Sequence, residues 1–241
     1  MNGPFACFYR AEGPFTRNGG PRVDVIIFGA TGMVGQGVLR ECLLDPGVRR
    51  VLIVGRTPTN RRHPKLTEIV HKDLLDLAPI DHRLGGYNAC FFCLGVSSAG
   101  MSERDYRRVT YDLTISVART LAALNPDMTF VYISGMGTDS STQGRTMWAR
   151  VKGETENALL ALPFQAYMLR PGYIQPMHGV KSKTRLYSAA YAVLAPLYPV
   201  LRRLFPKYVT TTEQVGRAMI CLARSGAPQR VLETRDINSI G

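Results

Sequence analysis

The chain has 241 residues, of which 45% are hydrophobic and 20% charged, so it can form one sizeable core and has the composition of a soluble globular domain. Its net charge of +12 suits a phosphate-bearing ligand or an anionic membrane surface, although a solvated basic face would carry the same charge. The sequence has no zinc-finger spacing, RNP-type aromatic motif or basic dimerising helix, so nucleic acid is not an expected partner.

Residues 1–21 are rich in glycine and proline and contain no apolar stretch long enough for a targeting sequence. We predict that they form a poorly structured leader and that residues 22–241 form a single domain. Five cysteines, an odd number, indicate reduced thiols and therefore a cytoplasmic location. The histidines and cysteines lack metal-ligand spacing, so no metal is expected.

The first predicted strand leads into a glycine turn and a helix. The apolar run Val25 to Phe28 ends in Gly29, Gly32 and Gly35, and an apolar helical face follows. In a dinucleotide site the first glycine permits the turn and the second lets the backbone approach the pyrophosphate, while the third lets the helix pack on the strand. The helix N-terminus then faces the phosphates. This stretch predicts nucleotide binding, with a merely glycine-rich turn as the alternative.

The end of the second predicted strand, Val51–Val54, indicates which dinucleotide is bound. An NAD-selective site usually places an acidic residue there, about 20 residues beyond the glycines, to hold the ribose hydroxyls. This strand ends instead in Gly55-Arg56-Thr57. A guanidinium can bind a 2′-phosphate through charge-assisted hydrogen bonds, so Arg56 predicts NADP rather than NAD. The alternative is that Arg56 is an ordinary surface residue.

Strands and helices alternate along the rest of the chain. Small or polar residues follow the further predicted strands, which cover residues 69–71, 89–94, 128–133 and 164–169. The further predicted helices cover residues 102–125, 146–160 and 213–224. Cys90 and Cys93 lie three apart in one strand and should face opposite sides of the sheet, as core residues. The alternation is typical of an α/β doubly wound parallel sheet, whose site lies at the carboxyl ends of the strands.

The motif Gly29-Ala-Thr-Gly-Met-Val-Gly35 resembles that of the atypical and extended short-chain dehydrogenases/reductases. Further matching pieces follow in the family's order: Asp73-Leu74, Leu94-Gly95, Ile133-Ser134, Lys152-Gly-Glu and Arg170-Pro-Gly172. The resemblance covers roughly residues 23–233, and it is strongest to the epimerase/dehydratase-like branch that contains the Tat-interacting tumour-suppressor oxidoreductase and its bacterial relatives. It implies a Rossmann fold, a nicotinamide cofactor and a small helical substrate lobe over residues 173–210.

The resemblance also implies which residues hold the cofactor. At the pyrophosphate they are Gly29, Thr31, Gly32, Met33 and Val34, with Gly35 in the same motif. At the adenosine end they are Arg56 and Thr57 for the 2′-phosphate, Asp73 and Leu74 for the adenine, and Leu94 and Gly95 on the adenosine side. At the other end they are Lys152 for the nicotinamide ribose, and Pro171, Gly172 and Tyr173 for the nicotinamide. Lys152 could instead be an exposed helix lysine that pairs with Glu156 four residues on.

The family's catalytic motif is Tyr-x-x-x-Lys, in which the lysine lowers the pKa of the phenol so that the tyrosine can exchange a proton with the substrate. This chain has Trp148-Ala-Arg-Val-Lys152, and an indole N–H can only donate. Ser134 matches the first serine of the family's strand-end pair, but Gly135 replaces the second. The candidate catalytic residues are Ser134, Lys152 and Tyr173, with Tyr111 or a water as other proton sources.

Three functions remain open at this point. The first is an NADP-dependent oxidoreductase that acts on a partly hydrophobic carbonyl or hydroxyl substrate. The second is an NADP(H)-responsive binding or regulatory protein that has lost turnover. The third is a membrane-surface or complex-assembly partner, because the basic, apolar segment 181–207 could form an interfacial helix. A buried helix of the substrate lobe is the other interpretation of that segment.

Overall fold

The computed structural model describes residues 21–180, residue 198 and residues 203–241. Nearly all of the predicted leader, residues 1–21, lies outside the described residues. The same is true of most of the basic segment 181–207 and of much of the predicted substrate lobe. No described helix is long and apolar enough to cross a membrane.

The described strands and helices alternate as predicted. The strands are β1 (Val23–Phe28), β2 (Val48–Gly55), β3 (Leu66–Val70), β4 (Ala89–Phe92), β5 (Thr129–Ile133), β6 (Gln165–Arg170), β7 (Tyr173–Gln175), β8 (Val209–Thr211) and β9 (Val231–Glu233). The α-helices are α1 (Met33–Leu44), α2 (Glu103–Arg107), α3 (Leu113–Leu124), α4 (Met147–Leu160), α5 (Thr212–Ser225) and α6 (Thr234–Ile240). A 3-10 helix covers Ala78–Arg83, and a π-helical turn, Arg108–Asp112, joins α2 to α3.

Seven of the strands form one parallel sheet in the order β3-β2-β1-β4-β5-β6-β9. This confirms the predicted doubly wound fold, in which the strand order reverses beside β1. β7 and β8 pair in parallel as a separate two-stranded sheet that was not predicted. β4 ends at Phe92 rather than at Leu94, and β3 ends at Val70 rather than at His71.

Helices cover both faces of the large sheet, which explains why its central strands are continuously apolar. In β1, Val25 and Ile27 lie in the core cluster shared with α1 and α5, whereas Ile26 and Phe28 lie in the cluster shared with α3. Cys90 lies in the second cluster and Cys93 packs against the first, so the predicted opposite orientation is confirmed.

The cysteines are only partly as expected. Cys42, Cys90 and Cys93 are free thiols. Burial raises the pKa of each thiol well above its usual range, so these side chains are inert core groups. Cys221 is disulfide-bonded, so the expectation of reduced thiols throughout is wrong at that position.

Candidate functional site

The turn between β1 and α1 depends on glycines, because side chains at Gly29 and Gly35 would overlap neighbouring backbone. Gly29 has φ +83°, and a Cβ there would lie 2.7 Å from the Cys93 carbonyl carbon, so the backbone directly after β4 passes where only glycine fits. A Cβ at Gly35 would overlap the Gly29 carbonyl oxygen, so α1 begins directly on the turn. Gly32 is the N-cap of α1, no side chain caps the helix, and its first turn has no acidic residue. The geometry is that of an anion site at a helix N-terminus.

The residues expected beside the adenosine differ in exposure, because Gly95 is exposed and Leu74 is buried. Gly95 is exposed, and a Cβ there would meet nothing within 4 Å, so the end of β4 borders open space. The Asp73 carboxylate accepts the Leu75 N–H at 3.0 Å and forms a local turn. The Leu74 side chain is buried in the core at 3% exposure, so only its backbone is placed to contact an adenine.

Arg56 directly follows the last residue of β2 and is exposed, as is Thr57. None of the ion pairs among the described residues involves Arg56. The loop beyond it is held by Glu68 on β3, whose carboxylate accepts the Thr59 N–H at 2.8 Å. The guanidinium is therefore available to an anion, while an acidic residue that sequence reasoning missed braces its loop.

Ser134 and Lys152 are brought together at the end of β5. The N–H and the hydroxyl of Ser134 both donate to the Leu169 carbonyl, at 2.9 and 3.1 Å. The Lys152 Nζ donates to the Ser134 carbonyl, so β5, β6 and α4 meet at this point. Lys152 is half-buried, and its Nζ lies 5.9 Å from the centroid of the Tyr132 ring.

Burial lowers the pKa of Lys152 to about 8, and the nearby Glu156 carboxylate opposes this shift. The alternative interpretation of Lys152 as an exposed lysine paired with Glu156 is wrong. Glu156 is buried at 1% exposure, and its ion pair is with Arg170 at the end of β6. This pair joins residues 14 apart, so no local pattern could have identified it.

Trp148 lies one helical turn before Lys152, where the resembling family has its tyrosine. The indole packs on the loop after β5, because a Cβ at Gly137 would lie 3.6 Å from the Trp148 Cη2. Gly137 itself has φ +85°, a conformation that favours glycine. The position of the missing phenol is thus filled by a half-buried ring that lies against this loop.

Pro171 and Gly172 follow β6 and tie the site to the carboxyl-terminal part of the chain. The Pro171 carbonyl accepts the Met136 N–H at 2.9 Å, and the Gly172 N–H donates to the Thr234 hydroxyl at 2.8 Å. A Cβ at Gly172 would overlap the Tyr208 carbonyl oxygen, so β8 approaches too closely for a larger residue. Ser134, Lys152 and Pro171 therefore share one edge of the sheet.

Of the two tyrosines proposed as proton sources, Tyr173 has its hydroxyl engaged, and Tyr111 has its ring packed against a guanidinium. The Tyr173 hydroxyl donates to the Gln175 side chain at 2.7 Å, and burial raises its pKa. Tyr111 lies in the π-helical turn, with the Arg107 guanidinium 4.3 Å from its ring centroid. Arg107 is in turn ion-paired with Glu154 on α4, so the Tyr111 ring belongs to the contact between α4 and the π-helical turn.

Within residues 21–180 and 203–241, no group of three or more histidine, cysteine or acidic side chains could hold a metal ion. The described polar groups at the carboxyl edge include backbone amides, hydroxyls, the Lys152 ammonium and the exposed Arg56 guanidinium. Such a set suits an organic anion with hydroxyl groups.

No protein-family model matches the chain. It is similar to a protein named fmp52, mitochondrial, from Emericella nidulans, with 32% identity over 206 residues, which cover 82% of this chain and 85% of that protein. It is also similar to the FMP52, mitochondrial, protein of Eremothecium gossypii, with 26% identity over 223 residues, 90% of this chain and 97% of that one.

Among solved structures, the chain is similar to the Bordetella bronchiseptica enzyme WbmF in complex with NAD+, with a TM-score of 0.60 and 15% identity, covering 91% of this chain and 77% of that one. It is also similar to a short chain dehydrogenase from Burkholderia cenocepacia in complex with NADP, with a TM-score of 0.61 and 13% identity, covering 88% and 87%. At such identities the likeness concerns the fold, and it agrees with the predicted Rossmann architecture.

The expected cytoplasmic location is wrong, because the relatives are named as mitochondrial proteins. Cysteine content reflects redox conditions only. A reducing environment does not distinguish the cytosol from an organelle that is also reducing, so the count of cysteines could not decide the compartment.

Proposed function

This chain belongs to the Fmp52 family, and from that premise we propose that it is a mitochondrial protein that binds a nicotinamide dinucleotide at the carboxyl edge of its large sheet. We further propose that it prefers NADP(H) to NAD(H). The observation that carries the proposal is the glycine turn, where Gly29 and Gly35 leave no room for a side chain and α1 begins uncapped. Kinship with the Tat-interacting branch is a finer proposal, which rests on the sequence motifs alone.

The residues at the edge fit such a cofactor. The first turn of α1 offers backbone N–H groups to a pyrophosphate, and in this proposal the exposed backbone at Gly95 lies beside the adenosine. Arg56 is exposed and free of ion pairs among the described residues, which favours a 2′-phosphate partner. In this proposal Lys152 bonds ribose hydroxyls, and Pro171 and Gly172 lie at the same edge of the sheet. A bound NADPH supplies hydride-donor chemistry at this position.

Binding without turnover is the reaction-level proposal that the side chains favour. Trp148 replaces the tyrosine and cannot cycle a proton near neutral pH. The hydroxyls of Ser134 and Tyr173 already donate to acceptors within the protein. We therefore favour an NADP(H)-responsive binding or regulatory protein over an efficient reductase.

A second candidate is an oxidoreductase that acts on a partly hydrophobic carbonyl or hydroxyl substrate. Lys152 supports it, because an amine whose pKa is about 8 exchanges protons readily near neutral pH. In this candidate Ser134 or Tyr173 would pass the proton to the substrate oxygen after its hydrogen bond rearranges.

A third candidate, association with an anionic membrane surface, is favoured by residues 203–208. Leu204, Phe205 and Tyr208 are exposed at 63%, 50% and 52%, and the exposed cations Arg203 and Lys207 lie among them. Apolar side chains next to cations are typical of an interfacial contact. Sedimentation with vesicles tests this candidate: binding is expected to require anionic lipid, and no lipid-dependent binding would remove it.

The cofactor proposal is tested by titrating the protein with NADPH and NADH. Trp148 is the chain's single tryptophan, so no second indole contributes to the fluorescence from the proposed nicotinamide end. We expect both nucleotides to quench this fluorescence, and NADPH to do so at the lower concentration. Failure of both to bind contradicts the proposal, and equal affinities contradict only the NADP preference.

Trp148→Tyr separates the two reaction-level candidates, with Trp148→Phe as the matched control that adds no hydroxyl. If the natural protein is a binder, only the tyrosine variant should oxidise NADPH in the presence of a panel of carbonyl compounds. If the natural protein already does so and Trp148→Tyr is no faster, the oxidoreductase candidate is correct and another group provides the proton.

A further inference from the structure

Glu156 and Lys152 lie four residues apart on α4, a spacing at which a glutamate and a lysine ordinarily pair. The structure places the Glu156 carboxylate elsewhere. One of its oxygens accepts the Arg170 Nε–H at 3.0 Å, and the other accepts from the Nη2 of the same guanidinium. Glu156 is 1% exposed and the Arg170 side chain 13%, so the pair is almost completely removed from water.

Lys152 consequently lies beside a carboxylate that is already occupied. Within the described residues, the Lys152 Nζ makes one hydrogen bond, to the Ser134 carbonyl, and it faces the ring of Tyr132. An ammonium carries three N–H donors, so two remain for a ligand. A glutamate bonded to Nζ would occupy one of these donors and draw the ammonium back along α4.

We propose that Arg170 is a positioning residue that withholds Glu156 from Lys152 and so keeps the Lys152 ammonium available to the ribose hydroxyls of a bound nicotinamide dinucleotide. This inference rests on the proposed dinucleotide site and adds to it a residue that itself touches no cofactor.

The competition between the two cations explains why Arg170 holds the carboxylate. A guanidinium binds both carboxylate oxygens in one plane, whereas an ammonium is a point charge that binds one. Two further partners fix the Arg170 guanidinium. Its Nη2 also donates to the Ser140 hydroxyl at 2.5 Å, and its Nη1 lies 3.6 Å from the Glu233 carboxylate. Glu156 is therefore held by Arg170 at the end of β6 and is not bonded to Lys152.

A purely structural ion pair would behave differently from a positioning pair. If the pair only stabilises the fold, binding should suffer whenever either partner is lost. If Arg170 withholds Glu156, binding should suffer when Arg170 alone is removed, and it should recover when the carboxylate is removed as well.

The test compares Arg170→Met, Glu156→Gln and the double variant by titration with NADPH. We expect Arg170→Met to weaken binding by about tenfold or more, because the unpaired carboxylate turns to Lys152. Glu156→Gln and the double variant should bind within about threefold of the natural protein. A double variant as weak as Arg170→Met, or unchanged binding by Arg170→Met, would overturn the inference.

A second measurement does not depend on the cofactor or on the folding of Arg170→Met. The ionisable groups that face Lys152 are Glu156 on its own helix and Tyr132 from β5. NMR titration of isotope-labelled lysine in the natural protein and in Glu156→Gln gives the pKa of Lys152 directly. We expect the two values to differ by less than about one unit. A larger fall in Glu156→Gln would mean that Glu156 already pairs with Lys152 and would overturn the inference.

The two proposals fail in distinguishable ways. A natural protein that binds neither NADPH nor NADH contradicts the proposed function. The pKa comparison then still decides whether Glu156 pairs with Lys152 in the natural protein, and such a pair would overturn the inference.

Discussion

The two ends of the candidate site lie on the same edge of the sheet but are constructed differently. At the glycine turn, residues 29–35 form the geometry within seven consecutive positions, by omitting side chains where β4 and α1 approach. Around Lys152, the geometry comes from three separate elements, β5, α4 and β6. Hydrogen bonds between residues 14 to 35 apart in the sequence hold these elements together. The glycine turn is therefore complete in this chain, although Trp148 occupies the position where the resembling family has its tyrosine.

The largest expected effect comes from adding one methyl group to the glycine turn. Gly35→Ala forces a Cβ into the Gly29 carbonyl, so we expect a loss of stability of about 3 kcal/mol and loss of dinucleotide binding. Gly95→Ala is the matched control, since its Cβ would meet open space, and its unfolding should change by less than about 0.5 kcal/mol. Chemical denaturation of both variants gives the comparison, and equal losses would contradict the close packing at Gly35.

A smaller and more selective effect is expected at Arg56. Arg56→Ala should weaken NADPH binding about tenfold or more and leave NADH nearly unchanged, because charge-assisted phosphate hydrogen bonds are lost. Arg104→Ala removes another exposed arginine, on α2, and should affect neither nucleotide. The measurement is the ratio of the two dissociation constants. An equal loss for NADPH and NADH would show that Arg56 does not select the 2′-phosphate.

The smallest expected effect is a pH dependence at the Lys152 end. The pKa of Lys152 is lowered to about 8, so its ammonium is present below that pH and is lost as the pH rises through it. NADPH should therefore bind more weakly at pH 9 than at pH 7, by about tenfold or less for one lost charged hydrogen bond. Lys152→Met should remove the dependence across this range, and a variant that kept it would assign the titration to another group.

Much of the fold could be predicted because long apolar strands and helices carry their own periodicity. β1, α1, β5 and α4 lie where the sequence places them, within a few residues. The three-residue strands β7, β8 and β9 and the short helix α6 were missed, because such short segments contain no measurable period. They matter nonetheless, since Gly172 is held by Thr234 on α6 and by the close approach of Tyr208.

The sequence by itself determined the glycine turn, the alternation of strands and helices, the missing acidic residue after β2 and the replacement at Trp148. These features are determined by residue type at a fixed spacing, so they can be read along the chain. The tertiary structure alone decided that Leu74 is buried, that the Ser134 hydroxyl faces the Leu169 carbonyl and that Glu156 belongs to Arg170 rather than to Lys152. Local spacing favoured the pair with Lys152, but the Arg170 guanidinium on β6 offers two hydrogen bonds to an almost completely buried carboxylate, and that interaction is the stronger one.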